Sequence, residues 1–176
     1  KLNRFFPKIE NAHLISIEDL LHHRSGIKDY VNQDSITKKD LTQDIKKAII
    51  KKMEDYEPIF EPNTQALYSN SNYYLLGSII EKVTKVSFAE NLEKRIVSKI
   101  GLKNTYYPTK NANPTNNESI SFTFDGKKWE SSEEWPVDVA FSAGQIVSNT
   151  ADLTKLLQNL FEGKLLKPAS LEEMKK

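Results

Sequence analysis

Apolar residues recur along this chain at the three- and four-residue intervals of helices that bury one side. Between Lys38 and Met53, Leu41, Ile45, Ala48, Ile49 and Met53 fall on one stripe, which predicts an amphipathic helix with Lys46, Lys47, Lys51 and Lys52 on its wet side. From Asn72 to Thr84, Leu75, Leu76, Ile79, Ile80 and Val83 predict a second, with Ser69, Asn70, Ser71 and Asn72 all able to cap its first turn. Ser87-Phe88-Ala89-Glu90 reads as a capping box, after which Phe88, Leu92, Ile96 and Ile100 repeat up to Gly101, a helix stop. A similar box, Ser16-Ile17-Glu18-Asp19, opens a short helix through Leu20 and Leu21 that Ser25-Gly26 ends. Near the far end, Asn149 or Thr150 caps a helix with the stripe Leu153, Leu156, Leu157, Leu160 and Phe161, ending at Gly163, and Ser170-Leu171-Glu172-Glu173 opens one more.

Other stretches break this rhythm. Thr105 to Glu118 is rich in Asn, Thr and Pro and reads as loop. Ile120, Phe122 and Phe124 alternate before Asp125-Gly126, with Trp129 beyond, so a β-hairpin is expected at Ser119 to Glu130, its apolar face packed on the helices. Trp135-Pro136 marks another break, and Lys1 to Leu14 reads as a polar lead-in that does not begin like a domain. The expected fold is mainly α with one small β-hairpin, in a single partial domain over residues 1–176 without internal repeats.

Composition narrows the chemistry. With a net charge of +1 and 28% charged residues, the chain has no basic track for nucleic acid, and its lysines read as a solvated face. It has no cysteine, hence neither disulfides nor thiol catalysis. No apolar run approaches the ~20 residues that span a bilayer, and membrane association stays open. His22 and His23 are adjacent, diverge on a helix and form no His-Glu-x-x-His pattern, so a structural or surface role is expected, with neither metal nor cofactor.

The candidate chemistry sits at Glu61-Pro62-Asn63-Thr64-Gln65-Ala66-Leu67-Tyr68-Ser69-Asn70. Pro62 disfavours helix before it and Asn63 suits a turn, so the run into Tyr68 reads as loop or extended backbone. Alternation then places Tyr68 and Asn70 on one side and Ser69 on the other. A phenol beside a cation acts as a general base, and a carboxamide orients a substrate or a lysine. Alone, Tyr-x-Asn fits equally a wet tyrosine and a helix-capping asparagine.

Pro62-Asn63 and Leu67-Tyr68-Ser69-Asn70 through Thr84 together resemble the second motif region of the serine β-lactamase-like family, which covers class C β-lactamases, penicillin-binding DD-peptidases and related esterases. Ile17 to Ile27 is similar to its "LLxHxSG" segment, and Ser142 to Leu153 to its "aGGlxSTaxDL" segment, in the family's order. The resemblance implies a helical region from a larger α/β-plus-α serine hydrolase, with Tyr68 as proton shuttle, Asn70 holding a lysine or the substrate amide, and Tyr30 as a substrate contact. It implies an amide, ester, β-lactam or D-Ala peptide as substrate, and an extracytoplasmic location.

The resemblance also implies a nucleophilic Ser-x-x-Lys and a third motif, Lys-Thr-Gly or His-x-Gly. The chain has two Ser-x-x-Lys matches, Ser25…Lys28 and Ser35…Lys38, neither ahead of the "LLxHxSG" segment where the family has its nucleophile, and no third motif follows Tyr68. The expectation is a central piece, inactive alone, of a serine hydrolase. The alternative is a non-catalytic binding module on the same fold.

Overall fold

The computed structural model describes residues 1–31, 44–132 and 135–175. Helix α1, Ile17–Leu21, starts on the expected capping box: Ser16 Oγ accepts Asp19 N–H at 3.0 Å, and Asp19 Oδ2 accepts Ser16 N–H at 2.7 Å. It closes at His22, ahead of Ser25-Gly26, and His23 already has left-handed backbone at φ 56°. Helix α2, Ile45–Glu54, begins where the Asp44 carboxylate accepts Lys47 N–H. The rest of the helix expected from Lys38, with Leu41, lies outside the described residues, as does Ser35.

Helix α3, Asn70–Thr84, is the spine of the molecule and starts two residues earlier than its apolar pattern. Its buried face mixes Tyr74, Leu75 and Ile79 with Ser71, Asn72, Gly77 and Ser78. Small side chains there let neighbouring backbone approach closely, and the 3-10 turn Phe141–Ala143 lies against that face, with Ser142 Oγ donating to Tyr73 O at 2.7 Å. Helix α4, Phe88–Leu92, runs from the second capping box through a wider π turn, Glu93–Val97, into α5, Ser98–Ile100, which Gly101 ends at φ 64°. A four-residue repeat drifts about 40° per step around an α-helix. The wider turn offsets part of that drift, and Leu92, Val97, Ile100 and Leu102 form one small cluster.

Strands β1, Phe122–Phe124, and β2, Trp129–Ser131, pair antiparallel, with Phe122 opposite Ser131 and Phe124 opposite Trp129. Asp125 ties their four-residue turn, its Oδ1 accepting both Lys127 N–H and Lys128 N–H. After Pro136 come α6, Val137–Ala140, then α7, Thr150–Phe161, whose N-cap Asn149 accepts Asp152 N–H, and α8, Pro168–Met174.

Four expectations about packing change. The lead-in Lys1 to Leu14 is core: Leu2, Phe6, Ile9 and Ala12 are buried with Ile15 in the main cluster, and Leu2 N–H donates to Ile15 O. Its lysines and asparagine dilute a three- and four-residue apolar rhythm that charge content hides. Both strands of the hairpin are exposed along their length, and Phe122, Phe124 and Trp129 stand exposed on one face. The α7 stripe is only partly covered: Leu156 is half-buried against the small cluster and Leu160 is half-buried, while Leu157 is 54% and Phe161 61% exposed, and the polar pair Asp152 and Asn159 takes the most buried positions. Asp152 Oδ2 accepts from Asn104 N–H and Thr105 Oγ1, which fixes Asp152 inward. Lys46, finally, is no mere wet-face lysine: it pairs with Glu81 at 3.2 Å and lies 3.9 Å above the Phe141 ring, joining α2 to α3.

Candidate active site

The loop ahead of α3 is held in place by the segment after α1. Asn63 adopts φ 67°, its N–H donates to Arg24 O, and Arg24 returns bonds to Asn63 Oδ1 and Asn63 O, each at 2.8 Å. Leu67 N–H donates to His23 O, and Ile59 N–H to Gly26 O. Gly26 is required here: at φ 75° a Cβ would stand 2.0 Å from Phe60 O.

This lacing delivers Tyr68 and Asn70 to one edge. Tyr68 is 64% exposed, and its hydroxyl donates to Asn70 Oδ1 at 3.1 Å. Asn70 Nδ2 donates to Asp29 Oδ2 at 2.9 Å, and Asp29 Oδ1 accepts Val31 N–H at 2.9 Å. Ser69 faces the other way and is buried; it is the N-cap of α3 without a side-chain capping bond, and its hydroxyl finds no partner among the described residues.

Beneath the phenol lies His23. Its ring centroid is 4.6 Å from that of Tyr68 and 5.2 Å from that of Tyr73. Its Nδ1 accepts Ser69 N–H at 3.2 Å, which puts the ring proton on Nε2, and Asn72 Nδ2 lies at 3.2 Å from the same nitrogen. Asn72 Oδ1 in turn accepts the Ser25 hydroxyl at 2.5 Å, and Ser25 Oγ accepts Ile27 N–H. Ser25 is therefore buried and fully engaged, a structural serine.

Tyr30, expected as a substrate contact, is 0% exposed: its hydroxyl donates to Val139 O at 2.6 Å and its ring meets Tyr74 edge-on. Burial raises its pKa far above the ordinary phenol range, so it is a neutral core residue and no part of the exposed edge. Sequence reasoning left His23 in a general structural role and passed over Asp29. The signal for His23 was its place in the "LLxHxSG"-like segment; for Asp29 there was none short of the fold.

Burial holds the His23 imidazole below its usual ~6.5, with Asp29 pulling the other way. The folded state then binds fewer protons than the unfolded one below about pH 6.5, so stability falls as pH drops through that value toward the lowered one. Protonated Nδ1 also stops accepting from Ser69. The groups facing this ring are Tyr68, Tyr73 and the Asp29 carboxylate. An NMR titration is expected to give His23 a midpoint below about 6.5, with the Ser69 amide shifting on the same curve. A midpoint above that value would contradict this placement.

Among the described residues no group of His, Asp and Glu is arranged to hold a metal, and no helix is long and apolar enough to cross a membrane. The Beta-lactamase family model matches residues 6–176. The chain is 28% identical to a penicillin-binding protein of Bacillus subtilis, over 98% of this chain and 41% of that one. It is 26% identical to a teichoic acid D-alanine hydrolase of Staphylococcus aureus, over 95% and 40%. Among solved structures, the D-amino acid amidase of Ochrobactrum anthropi SV3 superposes with a TM-score of 0.80 at 28% identity, covering 97% of this chain and 50% of that one. A D-stereospecific amidohydrolase from Streptomyces gives 0.85 at 26% identity, covering 98% and 56%. The chain thus spans about two fifths of these curated relatives and about half of the solved chains.

Proposed function

Because this chain belongs to the beta-lactamase family, matched from residue 6 to residue 176, we propose that it supplies the phenol and carboxamide of a serine hydrolase whose nucleophile lies outside residues 1–176. The observation that carries this is the exposed Tyr68 hydroxyl, bonded at 3.1 Å to Asn70 Oδ1 at the first residue of α3.

In the proposed reaction the serine oxygen bonds to the carbonyl carbon of an amide, ester or lactam, and its proton passes to the Tyr68 oxygen as Tyr68 hands its own phenolic hydrogen to the departing nitrogen or oxygen and the carbonyl bond breaks. Water then attacks the acyl-enzyme; its proton travels through Tyr68 back to the serine oxygen, and the acid leaves. Asn70 orients the lysine beside that serine, or the substrate amide. Relatives named for D-amino acid amides and for D-alanine on teichoic acid favour a D-configured acyl group at an amide or ester. Kinship to penicillin-binding proteins favours an extracytoplasmic site of action.

The full-length protein, treated with a fluorophosphonate or a labelled penicillin and mapped by peptide mass spectrometry, is expected to carry its adduct on a serine outside residues 1–176. Residues 1–176 alone are expected to stay unmodified, Ser25 above all, since its hydroxyl is buried against Asn72. An adduct on Ser25 or Ser35 overturns the assignment. A full-length protein that takes no adduct and turns over no D- or L-amino acid amide or ester favours a binding module.

A further inference from the structure

We propose that Asp29 is a positioning residue that fixes which end of the Asn70 carboxamide faces Tyr68, an inference that rests on the hydrolase reading above. A side-chain amide is nearly symmetric in shape and opposite in chemistry at its two ends: the oxygen accepts and the nitrogen donates. At an open edge such as this one, either end could point toward the phenol unless a third group decides.

Asp29 decides, because a carboxylate offers only acceptors. Asn70 Nδ2 lies 2.9 Å from Asp29 Oδ2; turned over, the amide would set oxygen against oxygen at that distance. Asp29 itself is anchored, its other oxygen accepting Val31 N–H at 2.9 Å, so it cannot turn away without breaking that bond. The carbonyl end of Asn70 is left facing Tyr68, where it accepts the phenolic hydrogen.

This has a chemical consequence. Whatever else Asn70 Oδ1 holds on that side must be a donor, such as an ammonium or a substrate N–H. A substrate carbonyl has access only to the one amide hydrogen that Asp29 leaves over. Asp29 is half-buried, and its hydrogen bond to Asn70 is made at the amide nitrogen, the end away from the one that accepts the Tyr68 hydroxyl.

The test uses the full-length protein and a D-amino acid amide or ester. Asp29→Asn restores the shape and can still accept from Val31, but accepts or donates toward Asn70 equally well. It is expected to lower kcat about tenfold, the worth of one hydrogen bond, with KM and melting temperature little changed. Asn70→Asp opposes two carboxylates and is expected to lose more. The swap Asp29→Asn with Asn70→Asp restores a donor facing an acceptor and leaves an acceptor for the Tyr68 hydroxyl, so it is expected to recover activity over Asn70→Asp alone.

Full kcat in Asp29→Asn, or a swap no better than Asn70→Asp, overturns the inference when Tyr68→Phe is impaired in the same assay. If Tyr68→Phe also keeps full kcat, it is the assignment of Tyr68 as proton shuttle that fails.

Discussion

Replacing Tyr68 by Phe in the full-length protein is expected to slow turnover about 10²-fold or more while leaving its melting temperature in place. The two readouts separate because the ring and the hydroxyl do different work. The ring stacks on His23 with centroids 4.6 Å apart, and phenylalanine keeps that contact. The hydroxyl is exposed and makes a single bond, to Asn70 Oδ1, and a solvent-facing bond of that kind contributes no more than about 0.5 kcal/mol to folding. A proton shuttle acts in the transition state, so the loss belongs in kcat, with KM little moved. It also acts twice, once in acylation and once in deacylation, so single-turnover kinetics should show both steps slowed. Turnover equal to that of the parent would mean that the phenol is only a wet tyrosine on the rim of a fold.

The parts of this geometry written in the sequence are the short-range ones. Both capping boxes, the α7 cap expected at Asn149 or Thr150, the Gly101 stop and the turn at Asn63 are set by residues within a turn of one another; each stands, with Asn149 as the cap. Alternation across Tyr68-Ser69-Asn70 is equally local: the phenol and the amide meet, and Ser69 points inward. What the sequence could not give is which partner each face meets. Asp29 reaches Asn70 across 41 positions, and His23 reaches Ser69 across 46. Periodicity marks the leucines of α7 as one face, yet the most buried positions are Asp152 and Asn159, beside Leu156 at one edge of that face, held by hydrogen bonds that hydrophobicity does not register. Tyr30 failed for the same reason. A tyrosine in a cleft-lining loop and one under the core have the same local sequence, and only Val139, 109 positions on, accepts its hydroxyl.

Gly77→Ala is expected to be the most damaging single methyl group in α3. Two effects oppose each other. Alanine in a helix interior gains about 1 kcal/mol over glycine. Against that, the new Cβ would stand 2.0 Å from Ser142 Oγ, 2.3 Å from Ser142 Cβ and 3.0 Å from Phe141 Cε1. A hydroxyl can rotate away, but Ser142 Cβ is fixed to the backbone, so the turn Phe141–Ala143 must move off α3 and take the bond from Ser142 to Tyr73 O with it. That turn has little slack: Phe141 sits at φ 42°, an uncommon angle for a side chain this large, held by its ring contacts with Tyr74 and Phe88. Overpacking of this kind costs about 1–3 kcal/mol and more where backbone must shift, so the clash outweighs the propensity gain. Thermal unfolding should show a melting temperature lower by about 5 °C or more. Ser142→Gly removes both close atoms, so the double variant should recover much of the loss, with a coupling of about 1 kcal/mol or more in the double-mutant cycle. A Gly77→Ala protein as stable as its parent would mean that α3 and the 141–143 turn do not approach as described, and the placement of Asn70 at the head of that helix would fall with it.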